Sequence, residues 1–500
     1  MLKSIEYIEQ KFIKKNSVEK RDYQTSLSEK VKSNNCMIVL PTGLGKTIVA
    51  LQVIAQYLAE KEKAILFLAP TRVLVNQHFE FLKANMSIDS IGLLTGEEPI
   101  EKRKKSWKND IICATPEIVR NDFDREIAKP NQFSLIVFDE AHRTVGDYAY
   151  STIAKRITNF NSVRILAMTA TLPSEKQKID EIISTLHIEK VEQRNEDSPD
   201  VTPYIQKTET QWCQVDLPAE MKTVQKLLKM ELDSRYTQLA KSGLNITATK
   251  SLSSLLRIRP IVVSRMRFCS KALFTAIRIT YALNIYEAHG TTSFLKFCER
   301  AEKKGGAGAK ELFNEDSEFA RAIHSARISQ KNGLEHPKLD KLIEILRKQK
   351  SKVIVFSSFR DSVDTIKRAL LDENISAEIL IGKAGKDGLK QKKQIETLQR
   401  FRDGEYQVLV STRVGEEGLD VSEVNLVIFY DNVPSSIRHI QRKGRTGRKE
   451  TGNLIILMAK DTIDEVYYWI GKKKMTKSKK ITEKLNKNLK PKKKGLDKFV

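Results

Sequence analysis

The fold is decided by the stretch Pro41-Thr42-Gly43-Leu44-Gly45-Lys46-Thr47, which lies early in a chain of 500 residues. An apolar run at 36–40 precedes it and predicts a buried strand, and an apolar-periodic segment at 48–58 follows it and predicts a helix. Glycines at such a junction let backbone N–H groups surround an anion, and the helix N-terminus adds its dipole. Lys46 is expected to reach nucleotide phosphates, and the Thr47 hydroxyl is expected to bind Mg²⁺. The predicted nucleotide cradle consists of Leu40, Pro41, Thr42, Gly43, Leu44, Gly45, Lys46 and Thr47.

Length and charge limit the other possibilities. A chain of this length is too long for one core, so two or three domains are expected. Lys and Arg exceed Asp and Glu by 87 − 63 = 24, an excess that favours a polyanionic partner, with solubility alone as the alternative. The five cysteines form no C-x-x-C pair, which argues against disulfides and a zinc site. Without a long apolar run or a signal core, we expect a cytoplasmic protein.

Two segments alternate short apolar runs with helical patterns, as parallel α/β domains do. The first domain is predicted at 1–205 and the second at 337–470. The runs of the first lie at 36–40, 64–69, 110–114, 134–138 and 164–168. Those of the second lie at 352–356, 377–381, 407–411, 425–430 and 453–458.

The segment between these domains, at 206–336, has long apolar-periodic stretches and many basic residues, which predict a helical insertion. Its predicted helices lie at 221–239, 251–265, 270–285 and 291–303. The glycines at 305–308 predict a break. The Lys-rich tail at 471–500 is predicted to be disordered or only transiently helical.

Acidic residues directly follow the apolar run 134–138. A carboxylate at the end of such a strand, near a phosphate cradle, is placed to hold Mg²⁺ through water, and we assign this role to Asp139. Glu140 is predicted to polarise the attacking water, and His142 to link the nucleotide site to the opposite domain. These residues therefore predict nucleotide hydrolysis.

A second basic cluster, at 441–448, has four positive charges separated by glycines. Arg445 and Arg448 suit the neutralisation of charge on a γ-phosphate, and Gln441 begins the cluster. A basic surface loop is the alternative, but a cleft between two α/β domains would place these arginines opposite Lys46. Upstream of the cradle, Gln24 is predicted to read adenine with its amide.

Together these motifs resemble those of superfamily-two helicases, which have two RecA-like domains. The matching segments are Arg21–Gln24, Pro41–Thr47, Ala69–Arg72, Thr95–Gly96, Ala114–Pro116, Asp139–His142, Thr169–Thr171, Val355–Phe359, Ser411–Asp420 and Gln441–Arg448. Closer similarity is to the archaeal Hef helicases, relatives of the Fanconi-anaemia M-type fork translocases. In that family the helical insertion resembles a thumb that grips duplex or branched DNA.

The resemblance implies roles for further residues. Arg21 would join the nucleotide site, Asp420 would meet the ribose, and Thr169 and Thr171 would couple hydrolysis to domain movement. Nucleic-acid backbone contacts are implied for Arg72, Thr95, Gly96, Thr115, Pro116, Ser357, Arg360 and Thr412. Hydroxyl and backbone donors suit phosphate contacts that read no bases.

The C-terminal part departs from the Hef pattern. Many Hef proteins carry a nuclease signature and paired helix-hairpin-helix units, and neither is found here, so we expect no nuclease activity. Leu496 and Phe499 resemble the hook by which archaeal replication proteins bind a sliding clamp, although Lys493 and Val500 depart from that pattern.

The leading prediction is an ATP- and Mg²⁺-dependent DNA motor that acts as a monomer on forked or branched DNA in an archaeal cell, associated with the nucleoid. An RNA motor that shares these motifs is the first alternative, because backbone contacts separate DNA from RNA poorly. A recruitment protein without ATPase activity is the second, although the residues assigned to catalysis are intact.

Overall fold

The computed structural model describes most of the chain. The described residues are 6–60, 63–96, 98–157, 163–204, 208–244, 251–382, 389, 391–412, 424–435 and 452–488. They form two parallel sheets and a helical body, so the predicted α/β fold class with two RecA-like domains is confirmed. In this part of the chain, no helix is both long and apolar enough to cross a membrane.

The strands belong to two sheets, in the orders β3-β4-β2-β5-β6-β1-β7 and β10-β11-β9-β12-β13-β8. Their bounds are β1 Cys36–Val39, β2 Ala64–Leu68, β3 Ile91–Leu94, β4 Ile111–Ala114, β5 Phe133–Phe138, β6 Arg164–Thr169, β7 Lys190–Gln193, β8 Thr208–Val215, β9 Val353–Phe356, β10 Ala377–Leu380, β11 Val408–Ser411, β12 Leu426–Phe429 and β13 Gly452–Ala459. Each of the ten apolar runs that predicted a strand forms one in the structure. The edge strands β3 and β7 are only partly buried, which is why no apolar run predicted them.

Helices cover the sheets and form the insertion. Their bounds are α1 Asp22–Val31, α2 Lys46–Glu60, α3 Arg72–Asn85, α4 Ile100–Ser106, α5 Pro116–Asp124, α6 Ala149–Ile157, α7 Lys176–Thr185, α8 Ala219–Lys241, α9 Leu252–Arg265, α10 Ser270–His289, α11 Thr291–Lys304, α12 Ala309–Leu312, α13 Glu318–Lys331, α14 Pro337–Arg347, α15 Arg360–Asp372, α16 Gln391–Asp403 and α17 Ile463–Asn488. The first sheet has a core on each face. Met37 and Ile38, adjacent in β1, belong to opposite cores, as the alternation of a strand requires.

The strand β8 corrects the predicted start of the insertion at 206. It pairs in parallel with β13 along its whole length, from Thr208 opposite Gly452 to Val215 opposite Ala459. These residues therefore belong to the second sheet, not to the helical segment. The sequence did not reveal this strand because it is a half-exposed edge strand whose first four residues are all polar, not an apolar run.

The helical insertion consists of α8 to α13. In the chain it lies between β8 and α14, which both belong to the second domain. Each of its four predicted helices is present. The predicted glycine break separates α11 from α12, and Gly305, Gly306 and Gly308 all have positive φ. A Cβ atom at Gly308 would lie 2.0 Å from Thr275 Oγ1, so only glycine fits there.

The C-terminal helix α17 corrects the prediction of a disordered or only transiently helical tail for residues 471–488, which form the later part of this helix. Its first turn carries Asp464, which forms a fully buried ion pair with Lys338 of α14. Its last turns leave the second domain, and Ile481 and Leu485 pack against a core of the first domain. Tertiary contacts of this kind order a basic helix that would be marginal on its own.

Candidate nucleotide and nucleic-acid sites

The predicted site residues of the first domain lie at one edge of its sheet. Because all seven strands are parallel, their carboxyl ends share that edge. The cradle follows β1, Thr169 ends β6 and Asp139 follows β5, which gives three neighbouring positions on the nucleotide side. The predicted nucleic-acid residues follow β2, β4 and β3, which are the next three strands of the same sheet. The edge therefore has a nucleotide half and a nucleic-acid half that meet between β5 and β2.

The cradle has the backbone of an anion-binding loop. Gly43 and Gly45 have φ values of 92° and 80°, and α2 begins directly afterwards at Lys46. A Cβ atom at Gly45 would lie 2.3 Å from the Gln24 amide nitrogen, so a side chain has no room. Lys46 Nζ donates a hydrogen bond to Leu40 O at 3.1 Å, which places the ammonium group across the loop.

Gln24 lies behind the cradle and is fully buried. Its Nε2 donates to Leu44 O at 3.1 Å, and the Tyr23 hydroxyl donates to the same carbonyl at 2.8 Å. Its Oε1 atom is buried without a hydrogen-bond partner. The described contacts of Gln24 therefore support the loop, and the adenine contact stays a prediction. Arg21 packs its guanidinium over the Tyr204 ring at 5.4 Å.

Asp139 is held from three directions. Its N–H donates to Leu68 O at 2.9 Å, and the Tyr150 hydroxyl donates to its carbonyl oxygen at 2.8 Å. His78 Nε2 lies 2.9 Å from its carboxylate oxygen Oδ2. Sequence reasoning missed Tyr150 and His78, and the only signal for them was their polarity within otherwise buried helix faces.

Glu140 and His142 form the next part of the nucleotide half. Glu140 has the left-handed backbone φ of 49°, which is rare and costly for a non-glycine residue. Burial alone would raise the pKa of Glu140, but its interaction with His142 and the charge of Lys46 outweigh burial and lower this pKa to about 2. The carboxylate is thus ionised at neutral pH, as a group that polarises water must be.

A chain of polar contacts continues from His142 to the second domain. His142 Nδ1 lies 3.0 Å from Thr169 Oγ1, which donates to Thr171 O at 2.9 Å. Ser478 of α17 donates to Leu172 O at 2.8 Å, and its Oγ lies 3.4 Å from Thr171 Oγ1. The contact with Ser478 was not predicted, because no sequence signal relates positions about three hundred residues apart.

The donor set fits a bound Mg²⁺ ion. Thr47 offers a hydroxyl and Asp139 a carboxylate at the same sheet edge. Mg²⁺ typically takes one or two protein oxygens and completes its shell with water and substrate phosphates. Glu140 Oε2 is in addition a buried carboxylate oxygen, 3.1 Å from His142 Nδ1.

The nucleic-acid half brings together residues from three loops. Arg72 begins α3, and its Nη2 atom would lie 3.9 Å from a Cβ placed on Gly96. The Thr95 hydroxyl donates to Glu98 Oε1 at 3.2 Å. Thr115 directly precedes α5 and Pro116 begins it, and both residues are buried in this arrangement.

In the second domain, the corresponding residues also follow parallel strands. Ser357 and Thr412 lie directly after β9 and β11, which are neighbours, and both are buried. Within the described part of the chain, the Ser357 hydroxyl has no hydrogen-bond partner. Arg360 begins α15 and donates to Gly382 O at 2.7 Å. Sequence reasoning missed that the insertion contacts this loop: Arg300 of α11 binds the adjacent Asp361 with both guanidinium nitrogens.

Several predicted residues lie outside the described part of the chain, and their roles stay predictions. They are Asp420, Gln441, Arg445, Arg448, Leu496 and Phe499.

Two family descriptions match the chain. The DEAD/DEAH box helicase domain matches residues 21–179, and the helicase conserved C-terminal domain matches residues 337–450. Among solved structures, the Hef helicase domain of Pyrococcus furiosus is 39% identical with a TM-score of 0.67, and the match covers 90% of this chain and 97% of that one.

Two full-length relatives are similar over most of this chain. A Methanocaldococcus jannaschii protein named as an ATP-dependent RNA helicase is 37% identical, over 92% of this chain and 60% of the relative. The ATP-dependent DNA helicase Mph1 of Neurospora crassa is 34% identical, over 88% of this chain and 41% of the relative. The chain thus spans only part of the length of these relatives. With both helicase domains matched and the Hef helicase domain covered almost completely, the chain belongs to the superfamily-two helicases and is similar to Hef and Mph1.

Proposed function

We propose that this chain is an ATP-dependent DNA helicase or translocase that acts on forked or branched DNA. The observation that carries the proposal is the shared sheet edge, where the cradle, Thr169 and Asp139 follow β1, β6 and β5, and the predicted backbone-contact residues follow the next three strands. A change in the nucleotide half can therefore alter the grip on a strand bound along the same edge. Similarity to Hef and to Mph1 supports DNA as the substrate.

Each residue of the nucleotide half has a defined task in this proposal. Lys46 binds the β- and γ-phosphates, and Thr47 and Asp139 hold Mg²⁺, which neutralises charge on the phosphates. Glu140, ionised because of its low pKa, accepts a hydrogen bond from the attacking water. Gln441, Arg445 and Arg448 are proposed to complete the site, so that closing the cleft is coupled to hydrolysis.

The helical insertion is proposed to grip the DNA junction. The segment 251–270 contains four arginines and no Asp or Glu. Phe268, in the turn between α9 and α10, is 75% exposed, the largest exposure among the large hydrophobic residues described as exposed. An exposed aromatic ring beside arginines suits contact with unpaired bases next to phosphates. Binding through these charges should weaken strongly with salt.

Duplex RNA is the alternative substrate. It is favoured by one observation, the M. jannaschii relative that is named as an RNA helicase. Phosphate-directed contacts at Arg72, Thr95 and Ser357 do not discriminate, because both nucleic acids offer the same phosphates.

The finer properties of the molecule are also proposals. We propose a monomer that works beside the chromosome of an archaeal cell and uses Mg²⁺ with ATP. We also propose that Leu496 and Phe499 anchor the tail on a sliding clamp. A small number of apolar side chains that enter a pocket is enough for such anchoring. Calorimetry with the 485–500 peptide tests the anchor: heat at micromolar clamp supports it, and no heat at high micromolar clamp contradicts it.

The deciding experiment is steady-state ATP hydrolysis with no nucleic acid, fork DNA, linear duplex DNA and duplex RNA at matched salt. Strong stimulation by fork DNA supports the proposal. Equal or greater stimulation by duplex RNA contradicts the DNA proposal and supports an RNA motor instead. Lys46→Ala should abolish turnover in every arm and leave fork binding largely intact, which separates catalysis from folding.

A further inference from the structure

One buried hydrogen bond joins the two halves of the sheet edge. It runs from His78 Nε2 to Asp139 Oδ2 over 2.9 Å. Both residues are buried, with exposed fractions of 7% and 4%. In the pairing assigned here the imidazole N–H donates and the carboxylate oxygen accepts. The bond thus connects a helix of the nucleic-acid half with the acidic residue of the nucleotide half.

The position of the imidazole is fixed by its surroundings. Its ring packs on Phe67 of β2, with 4.4 Å between ring centroids. Phe67 pairs in the sheet with Val137 of β5, the strand that leads to Asp139. The ring therefore stands at the boundary between β2 and β5, where the two halves meet. Its orientation toward the carboxylate is set by packing as well as by the hydrogen bond.

The helix that carries His78, α3, also carries a predicted DNA contact at its N-terminal end. Arg72 is the first residue of α3, and His78 follows six positions later, about 9 Å along the axis at 1.5 Å per residue. Thr71 caps the N-terminus of α3, because its Oγ1 accepts a hydrogen bond from Leu74 N. A short, capped helix transmits a displacement of its first turn to its middle.

We propose that His78 is a positioning residue that orients the Asp139 carboxylate toward Mg²⁺ and links DNA contact at Arg72 to the nucleotide site. The proposal rests on the proposed function, since it assigns DNA to Arg72 and Mg²⁺–ATP to Asp139. Hydrogen-bonded partners of metal-binding carboxylates typically set affinity or activity by about 10- to 100-fold.

The first test needs neither DNA nor turnover. A fluorescent, non-hydrolysable ATP analogue is titrated at several Mg²⁺ concentrations against the wild type, His78→Phe and His78→Gln. His78→Phe keeps a ring on Phe67 and removes the donor, and His78→Gln can restore an N–H near the Nε2 position. We expect His78→Phe to need about tenfold more Mg²⁺ for half-maximal affinity, and His78→Gln to recover most of the loss. The control His324→Phe, at an exposed position on α13, should match the wild type.

The second test measures coupling. Fork-DNA stimulation of ATP hydrolysis should fall about tenfold or more in His78→Phe, while the fork-DNA dissociation constant changes less than about twofold. Unchanged Mg²⁺ dependence and unchanged stimulation in His78→Phe would overturn the proposal, and so would a His78→Gln variant as impaired as His78→Phe. If fork DNA fails to stimulate the wild type, the proposed function fails, and the Mg²⁺ titration still decides the orienting role of His78.

Discussion

Individual buried polar residues hold the elements of this molecule in place. Lys338 has a fully buried side chain whose ammonium group donates to Tyr430 O at 2.8 Å and pairs with Asp464. Asp464 also accepts a hydrogen bond from Asn432 N at 3.3 Å. The pair fixes the start of α17 against α14.

We expect Lys338→Met to lower the free energy of unfolding by about 3–5 kcal/mol, because it leaves Asp464 buried and unpaired. Denaturant unfolding of the second domain would measure the loss. The matched control is Lys341→Met on the same helix, whose pair with Glu344 is exposed to solvent and contributes little to stability. Equal losses for the two variants would contradict this account. The double variant Lys338→Met/Asp464→Leu should recover much of the stability.

Glu140 gives a prediction for pH. Its pKa falls from 4.5 to about 2 on folding, so its ionised form stabilises the native state. The stabilisation is complete above pH 4.5, declines as the pH falls toward 2, and amounts to about 3 kcal/mol at most. The melting temperature of wild type should therefore exceed that of Glu140→Gln at pH 7, and the difference should shrink at pH 3.5. If the difference in melting temperature grew on acidification, the ionised form of Glu140 would not stabilise the native state, which would contradict this account. Glu117→Gln, at an exposed position on α5, is the control.

At the scale of elements, α17 connects all three bodies of the molecule. It starts in the second domain, its Tyr467 hydroxyl accepts a hydrogen bond from Asn284 of the insertion, and Ser478 contacts the loop after β6. Lys474 donates to Pro434 O in the second domain at 3.0 Å. A helix anchored at so many points limits how the two sheets can move relative to each other.

We expect Ile481→Asp to release the end of α17 from the first domain, because it places a charge against an apolar core. Hydrogen exchange of α17 backbone amides after Ser478 should rise, and fork-stimulated ATP hydrolysis should lose part of its stimulation while DNA binding persists. Thr476→Asp places the same charge on an exposed position of the same helix and should change neither. Unaltered exchange in Ile481→Asp would show that α17 is held elsewhere.

Over the whole molecule, the insertion is attached to the loop that precedes and begins α15. Arg300 of α11 pairs with Asp361, and His289 of α10 stacks on Phe359 with 5.4 Å between centroids. Phe359 and Asp361 flank Arg360, a predicted DNA contact. The insertion therefore contacts the second domain on both sides of Arg360.

We expect Arg300→Ala to lower fork unwinding per ATP hydrolysed by severalfold and to change the melting temperature little, because an exposed ion pair adds at most about 1 kcal/mol of stability. A strand-displacement assay run beside an ATPase assay measures the ratio. Arg321→Ala removes the ion pair of a similarly exposed arginine on α13, away from this loop, and should keep the wild-type ratio. A ratio that fell equally in both variants would argue against a specific route through Asp361.

Much of the fold and part of the site follow from the sequence alone. Ten apolar runs predicted ten strands, because parallel strands buried on both faces must be apolar throughout. The cradle and the residues Asp139, Glu140 and His142 were identified from local order, since a strand, a turn and a helix are contiguous in the chain. Local patterns also predicted the glycine break and the four main helices of the insertion.

Only the tertiary structure decided where β8 and α17 belong. Both present half-exposed, polar sequences, and both take their structure from partners more than 200 residues away, β13 for β8 and the first domain for α17. The hydrogen bond from His78 to Asp139 and the contact of Ser478 with Leu172 have the same origin. Sequence patterns record burial within one element, whereas contacts between elements arise only when the chain has folded.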